Sequence, residues 1–317
     1  NLQNNLIGDF TTPAANAAIP LTGINVSGGT TVNVDFNSVY LNATSAGALF
    51  GSAAINASTT PALTMRSNIF VNLSTPTGAG ETVAYRRTTT TLTTYGAASN
   101  GNLFYAGTPS ATNLIFTDLT VDHSTLAGYK ALVASRDSNS VSENPPFLST
   151  SGASANFLHI DTTIATQIES GGVTVAGITD DFDGDTRNVT TPDIGADEFT
   201  GILLDLVGPN ITYTNLLNTS STGDRVLSVS VTDPSGVPTA GVGLPVIYYR
   251  KNAGAYVSTQ CTFVSGSSYN CSIVAAGIGG VTVADVIVYY VAAQDNANNV
   301  SVNPSAGAGG FTPNPPA

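Results

Sequence analysis

Apolar and polar positions alternate along this chain in short runs, and few runs extend beyond a handful of residues. Alternation with a period of two predicts β-strands. The clearest runs are Thr31 to Phe36, Val39 to Asn42, Leu63 to Asn72, Asn102 to Tyr105, Asn113 to Phe116 and Phe157 to Ile160, with Asn, Gly, Ser, Thr and Pro between them. Helical spacing is nearly missing. Its best instance is Ser124 to Ser135, where Leu126, Tyr129, Ala131, Leu132 and Val133 form a short amphipathic face.

The brevity and irregular recurrence of these strands, with Asn, Ser and Thr at their corners, predict an all-β chain that begins as a parallel β-helix over residues 1–199. In such a solenoid each coil leaves backbone groups for the next coil to pair, and open ends need covering. Asn1 to Gly8 already reads as an Asn-rich coil without a polar cap. Upstream sequence or another subunit is expected to cover it, and the second option leads to head-to-tail assembly.

After Phe199 the pattern changes. Residues 200–208 read as a short apolar linker. Longer strands follow at Arg225 to Thr232, Val246 to Arg250, Tyr256 to Val264, Tyr269 to Val274 and Asp285 to Gln294, separated by turns such as Asp233-Pro-Ser-Gly236 and Asp295-Asn-Ala-Asn298. Strands at this spacing predict an Ig-like β-sandwich over residues 209–317, with an extended Gly- and Pro-rich tail from Gly309.

Composition narrows the function. The chain has 317 residues, only 9% of them charged, and a net charge of −12 with nine Lys and Arg. Such a chain is a poor match for a phosphate backbone, so nucleic acid is not an expected partner. A hydrophobic content of 42% argues against disorder. No signal-peptide pattern is visible, which leaves an intracellular protein or the mature part of a secreted one. The apolar stretch Val274 to Ala293 contains Gly277, Gly279, Gly280 and a β-branched second half, so it reads as a turn and a buried strand, not a membrane span. Cys261 and Cys271 flank an expected hairpin turning near Ser265-Gly266-Ser267. A disulfide between them would suit an oxidising compartment, whereas two reduced thiols would suit the cytosol.

Two motifs carry a family resemblance. Asp180-Asp-Phe-Asp-Gly-Asp-Thr-Arg187, followed by Thr191-Pro-Asp-Ile-Gly-Ala-Asp-Glu-Phe199, resembles the closing segment of secreted bacterial right-handed parallel β-helix proteins. Val231-Thr-Asp-Pro-Ser-Gly236 with Ala293-Gln-Asp-Asn-Ala-Asn-Asn299 is similar to bacterial Ig-like or fibronectin-III-like modules. The combination resembles multidomain surface proteins of Bacteroidota, and implies export through a type IX secretion route and an extracellular or cell-surface location.

Candidate chemistry is sparse. Asp181, Asp183 and Asp185 alternate around Gly184, a spacing that resembles oxygen-rich calcium loops without meeting the EF-hand pattern. One reading is a Ca2+ that stiffens the end of the β-helix. The other is a solvated turn whose aspartates accept backbone N–H bonds while Arg187 pairs with a carboxylate. His159 lies in an apolar run and reads as packed, and His123 has no triad around it. Arg86-Arg87 reads as a pair of solvated loop charges. Tyr248-Tyr249 and Tyr289-Tyr290 each place one ring on either strand face. Asp161-Thr162-Thr163 resembles the O-glycosylation sequence of Bacteroidota, with Thr162 as acceptor. Together these lead to the expectation of a non-enzymatic structural protein, a fibre subunit or an adhesin, that assembles with itself or contacts cell-surface glycans. The alternative is a polysaccharide-binding or polysaccharide-degrading β-helix, a lyase or glycoside hydrolase with converging carboxylates.

Overall fold

The computed structural model describes residues 1–304; the expected tail from Gly309 lies outside the described residues. The chain divides into two compact units, 1–204 and 205–317.

The first unit opens as a parallel β-solenoid of about four turns over residues 2–117. The first coil supplies β1 (Leu2–Gln3), β2 (Leu6–Ile7) and β3 (Ala17–Val26). The second supplies β4 (Thr31–Asp35), β5 (Ser38–Leu41) and β6 (Phe50–Ala57). The third supplies β7 (Ala62–Arg66), β8 (Ile69–Asn72) and β9 (Thr82–Arg87), and the last β10 (Leu103–Tyr105) and β11 (Asn113–Thr117). They stack into three sheets, ordered β1-β4-β7, β2-β5-β8-β10 and β3-β6-β9-β11. A short antiparallel strand, β12 (Asp122–His123), ends the third sheet.

Register explains the interior. Ile24, Ile55, Tyr85 and Phe116 lie directly above one another on the third sheet, and all four are buried in one core with Val34, Met65, Phe70 and Phe104. Phe70 and Phe104 stack with centroids 5.7 Å apart. Side chains of one row therefore pack on their own kind in the next coil, which is why branched and aromatic residues recur there.

The corner between the first and second sheets is held by asparagines. Nδ2 of Asn5 donates to Asn37 Oδ1 at 2.7 Å, Asn37 to Asn68 at 2.9 Å and Asn68 to Asn102 at 2.9 Å. The intervals are 32, 31 and 34 residues, one coil each. The same Oδ1 atoms also accept the backbone N–H of the preceding asparagine in the ladder. Each ladder residue follows a left-handed one: Asn4, Phe36, Ser67 and Gly101 have φ between 53° and 65°. The corner thus turns sharply, and the side-chain amide pairs groups that the turn removes from the sheets.

The expected helix is present as α1 (Leu126–Val133), capped by the Thr125 hydroxyl. It lays Tyr129 and Val133 into the solenoid core, with the Tyr129 ring against Phe104 and Phe116. Beyond it, Phe157 to Ile160 is not a strand and makes only isolated bridges, because Leu158 adopts φ 56° and breaks the extended run. Residues of the 143–204 segment instead cover the second sheet from outside. Ile160, Ile168 and Ile194 pack on Ile69, Val71 and Leu103 as a second apolar cluster.

The second unit contains two four-stranded antiparallel sheets, consistent with the expected sandwich. One is ordered β13 (Asn210–Tyr213), β14 (Arg225–Thr232), β18 (Ser268–Ile273), β17 (Thr262–Ser265). The other is β16 (Val257–Gln260), β15 (Val246–Lys251), β19 (Ile287–Gln294), β20 (Val300–Asn303). Leu227, Val229 and Val231 alternate inward from β14 and share a core with Ile247, Tyr249, Val291 and Ala293 of the other sheet. The single strand expected over Tyr256 to Val264 is two strands. The chain leaves one sheet and joins the other at Cys261, which is buried and disulfide-bonded to Cys271.

Candidate functional site

The acidic motif is laid along the flank of the solenoid. Asp180 O accepts Asn4 Nδ2 at 2.7 Å, the Ala196 amide donates to Ser38 Oγ at 3.0 Å, and the Gly195 amide donates to Ser67 O at 2.8 Å. One segment therefore touches three successive coils. Gly195 is required there: its φ is 105°, and a Cβ would lie 2.6 Å from Ile69 Cδ1 and 2.7 Å from Ser38 Oγ.

Within this segment the carboxylates are occupied by the backbone. Asp181, nearly buried, accepts the amides of Asp183 and Asp185 on Oδ1 and that of Glu198 on Oδ2. Asp193 accepts Ser170 N and Phe199 N. Glu198 accepts Asn188 N and Asp193 N, and its Oε2 faces Arg187 Nη1 at 3.3 Å. Arg187 is buried at 4% exposure, lies 4.0 Å over the Phe36 ring, and donates from Nη2 to Asn4 Oδ1 and to the carbonyls of Gly195 and Ala196. Burial pulls its guanidinium below its ordinary value, and Glu198 opposes that pull. Burial pushes the Asp193 carboxyl up to about 7, against the pull of its two amides. Glu169, Asp185, Asp193 and Glu198 border an open hollow of about 590 Å³.

Asp181, Asp183 and Asp185 do not form one ligand set. Among the described residues, Asp183 instead meets His159 and Asp197, with possible ligand atoms within 4.8 Å of one another. His159 Nδ1 is 3.2 Å from Asp197 Oδ1 and Nε2 is 3.4 Å from Asp183 Oδ2, so both ring nitrogens face carboxylates and neither is left as a base for a substrate. Asp197 Oδ2 also accepts the Ile160 amide. Burial raises the Asp197 carboxyl, while that amide and His159 lower it. His159 thus sits partly exposed between two carboxylates and is not a packed strand residue.

The remaining candidates are scattered. Arg86 and Arg87 both belong to β9, and Arg87 is fully buried, donating to Tyr85 Oη, Thr91 O and Thr94 Oγ1. The pair is therefore not a solvated loop: Arg87 is buried under the segment that follows β9, beside Tyr95. His123 packs on Phe116. Tyr249 and Tyr289 face the sandwich core, while Tyr248 and Tyr290 stack at 5.0 Å on the other face, with Tyr256 edge-on. Thr162 is exposed beside an Asp161–Thr163 turn. No helix among the described residues is long and apolar enough to cross a membrane.

One grouping was not expected from the sequence. Asp205, Asp233 and Asp295, all in the second unit, bring possible ligand atoms within 4.8 Å of one another. Asp233 and Asp295 are legible only as turn residues until the sheets place their loops together. The chain matches no protein-family model and no curated protein.

Proposed function

We propose that the chain is a non-enzymatic, extracellular structural protein, a subunit of a surface fibre or an adhesin, of the right-handed β-helix and Ig-like type that the motifs resemble. The observation that carries this reading is the bonding of the acidic motif. Asp181, Asp193 and Glu198 accept the amides of Glu198, Phe199 and Asp193, which knits the motif to itself, and Arg187 bolts the same segment to Asn4 and Phe36 of the solenoid. Carboxylates used in this way stiffen a rod; a glycosidase needs a pair aimed at a scissile bond. The Cys261–Cys271 disulfide supports an oxidising, extracellular setting.

Self-assembly runs through the edge strands β1, β2 and β3, which lie on one side of the coil stack. The other side is closed by β12 and α1. The second reading, polysaccharide binding or cleavage, is favoured by the acid-bordered hollow alone. Negative-stain imaging of the purified chain, with polysaccharide binding and turnover assays on the same material, separates the two. Regular filaments without turnover are expected. Discrete particles would remove the filament version, and turnover abolished by Asp193→Asn would establish the enzyme.

A further inference from the structure

The inward row of β14 is Arg225, Leu227, Val229 and Val231, and its first member is the one that is neither apolar nor buried. Arg225 pairs with Ile273 of β18. At this end the core is closed by Ile273, Ile287 and Tyr289. Beside them opens a cleft of about 370 Å³. Its walls are residues 216–223, between β13 and β14, and residues 281–286, just before β19. Arg225 and Ile273 reach it from one sheet, Ile287 and Tyr289 from the other, so the cleft enters the sandwich end-on.

Arg225 is half-buried, and among the described residues its guanidinium makes no hydrogen bond, ion pair or ring contact. The nearby carboxylates are engaged elsewhere. Asp285, which lines the cleft, accepts Asn252 Nδ2 on Oδ1 and the amide and hydroxyl of Thr282 on Oδ2. Asp224 accepts the Ala275 amide at 2.8 Å. A guanidinium partly withdrawn from water without a partner is costly, and one carboxylate would fill its fork. Around it Leu217, Val283 and Val286 line the cleft while more than half exposed. Aliphatic side chains gathered in this way at one cleft mark an interaction surface. Ser220, Ser221 and Thr222 add hydroxyls that can both donate and accept.

We propose that this cleft binds the C-terminal end of a polypeptide partner, with the terminal carboxylate on Arg225 and an aliphatic last side chain against Leu217, Val283 and Val286. Its volume is at the small end for ligand sites and suits a chain end, not a folded surface. Because it opens end-on, a continuous chain would have to enter and turn back. The hydroxyls match the amides of a peptide and would stay unmatched by an acyl chain. The exposed aliphatic side chains would stay unmatched by an acidic sugar. The site lies within the second unit and does not depend on whether the chain forms fibres.

The test is calorimetric titration of the full chain with acetylated tetrapeptides Gly-Ser-Thr-Val, Gly-Ser-Thr-Leu and Gly-Ser-Thr-Phe, each as the free acid and as the C-terminal amide. The best acid is expected to saturate one site with Kd of about 10⁻⁴ M. Its amide, and the acid on Arg225→Gln, should each bind at least about tenfold more weakly, with Arg225→Lys between. Leu217→Ser changes an exposed side chain outside the core and should also weaken binding, which keeps the test open if Arg225→Gln fails to fold. Val226→Thr alters the outward face of β14, away from the cleft, and should leave binding unchanged. Absence of saturation by all three acids below about 5 mM would overturn the proposal. So would equal affinity for acid and amide, or tighter binding of octanoate or an oligogalacturonate in parallel titrations.

Discussion

Asp137 Oδ1 accepts Asn102 Nδ2 at 2.9 Å, so a carboxylate terminates the asparagine ladder of the solenoid. The residue is fully buried and also accepts Ser140 Oγ, Tyr95 Oη and Tyr129 Oη. Both tyrosine hydroxyls are pushed well above their ordinary pKa, by burial first and by this carboxylate second, so they remain donors. Asp137→Ala leaves those donors without an acceptor and should destabilise the first unit by about 3–5 kcal/mol. Urea unfolding followed by circular dichroism measures it; a loss below about 1 kcal/mol would show the ladder end to be dispensable.

Asn68 is the ladder's middle rung, donating to Asn102 Oδ1, Val34 O and Arg66 O and accepting from Asn37. Asn68→Asp preserves shape but turns two donor hydrogens into an acceptor facing oxygen. It should cost more than Asn68→Ala, for which about 2–4 kcal/mol is expected. The order of the two variants in thermal unfolding is the check, and Asp being the milder change would contradict the assigned bonding.

Arg187 holds the acidic motif against the first coils. Arg187→Ala strands Glu198 and two carbonyls, and should loosen residues 180–199 at a cost of about 3–5 kcal/mol. Arg187→Lys keeps the charge but not the fork, and should be intermediate. Limited proteolysis with mapping of the cleavage sites reads this directly: new cuts should fall within that segment first.

Asp193 gives the first unit a pH dependence of defined sign. Its folded-state pKa is raised to about 7, so the folded protein keeps a proton that the unfolded chain has released. Its contribution is greatest in acid, declines as pH rises from about 4 to about 7, and is flat above. Carbon-13 titration of the carboxyl should show a midpoint near 7. The slope of Tm against pH over that window should be shallower in Asp193→Asn than in the wild type.

The disulfide closes a loop between residues 10 apart at the point where the strand changes sheets. Reduction, or a Cys261→Ala and Cys271→Ala pair, should lower the second unit's stability by about 2–3 kcal/mol. The first unit contains no cysteine and should unfold unchanged, which makes it the reference in the same calorimetric trace.

Much of this architecture is legible in local pattern. Val32 and Val34, or Val229 and Val231, alternate with polar neighbours, and such strands appear where expected. The third solenoid face is harder to read. In β6, Phe50-Gly-Ser-Ala-Ala-Ile-Asn-Ala resembles a turn because its residues are small, yet small residues are what closely stacked coils admit. Asparagine followed directly by apolar residues at positions 5, 68 and 102, and through Ser38 at position 37, is a repeat that could have located the coils. The acidic motif was visible as a motif, but its place was not. Arg187 meets Asn4 across 183 residues and Ala196 meets Ser38 across 158, and no local periodicity encodes such contacts.

The asparagine ladder has a direction. Every side-chain amide from Asn5 to Asn102 donates the same way along the stack, so their dipoles add head to tail. The positive end of that sum falls on Asp137, where the carboxylate meets it as an anion meets the N-terminus of a helix. A rod without a long helix thereby acquires an axial polarity of its own, and a neutral residue at 137 would leave that polarity uncompensated.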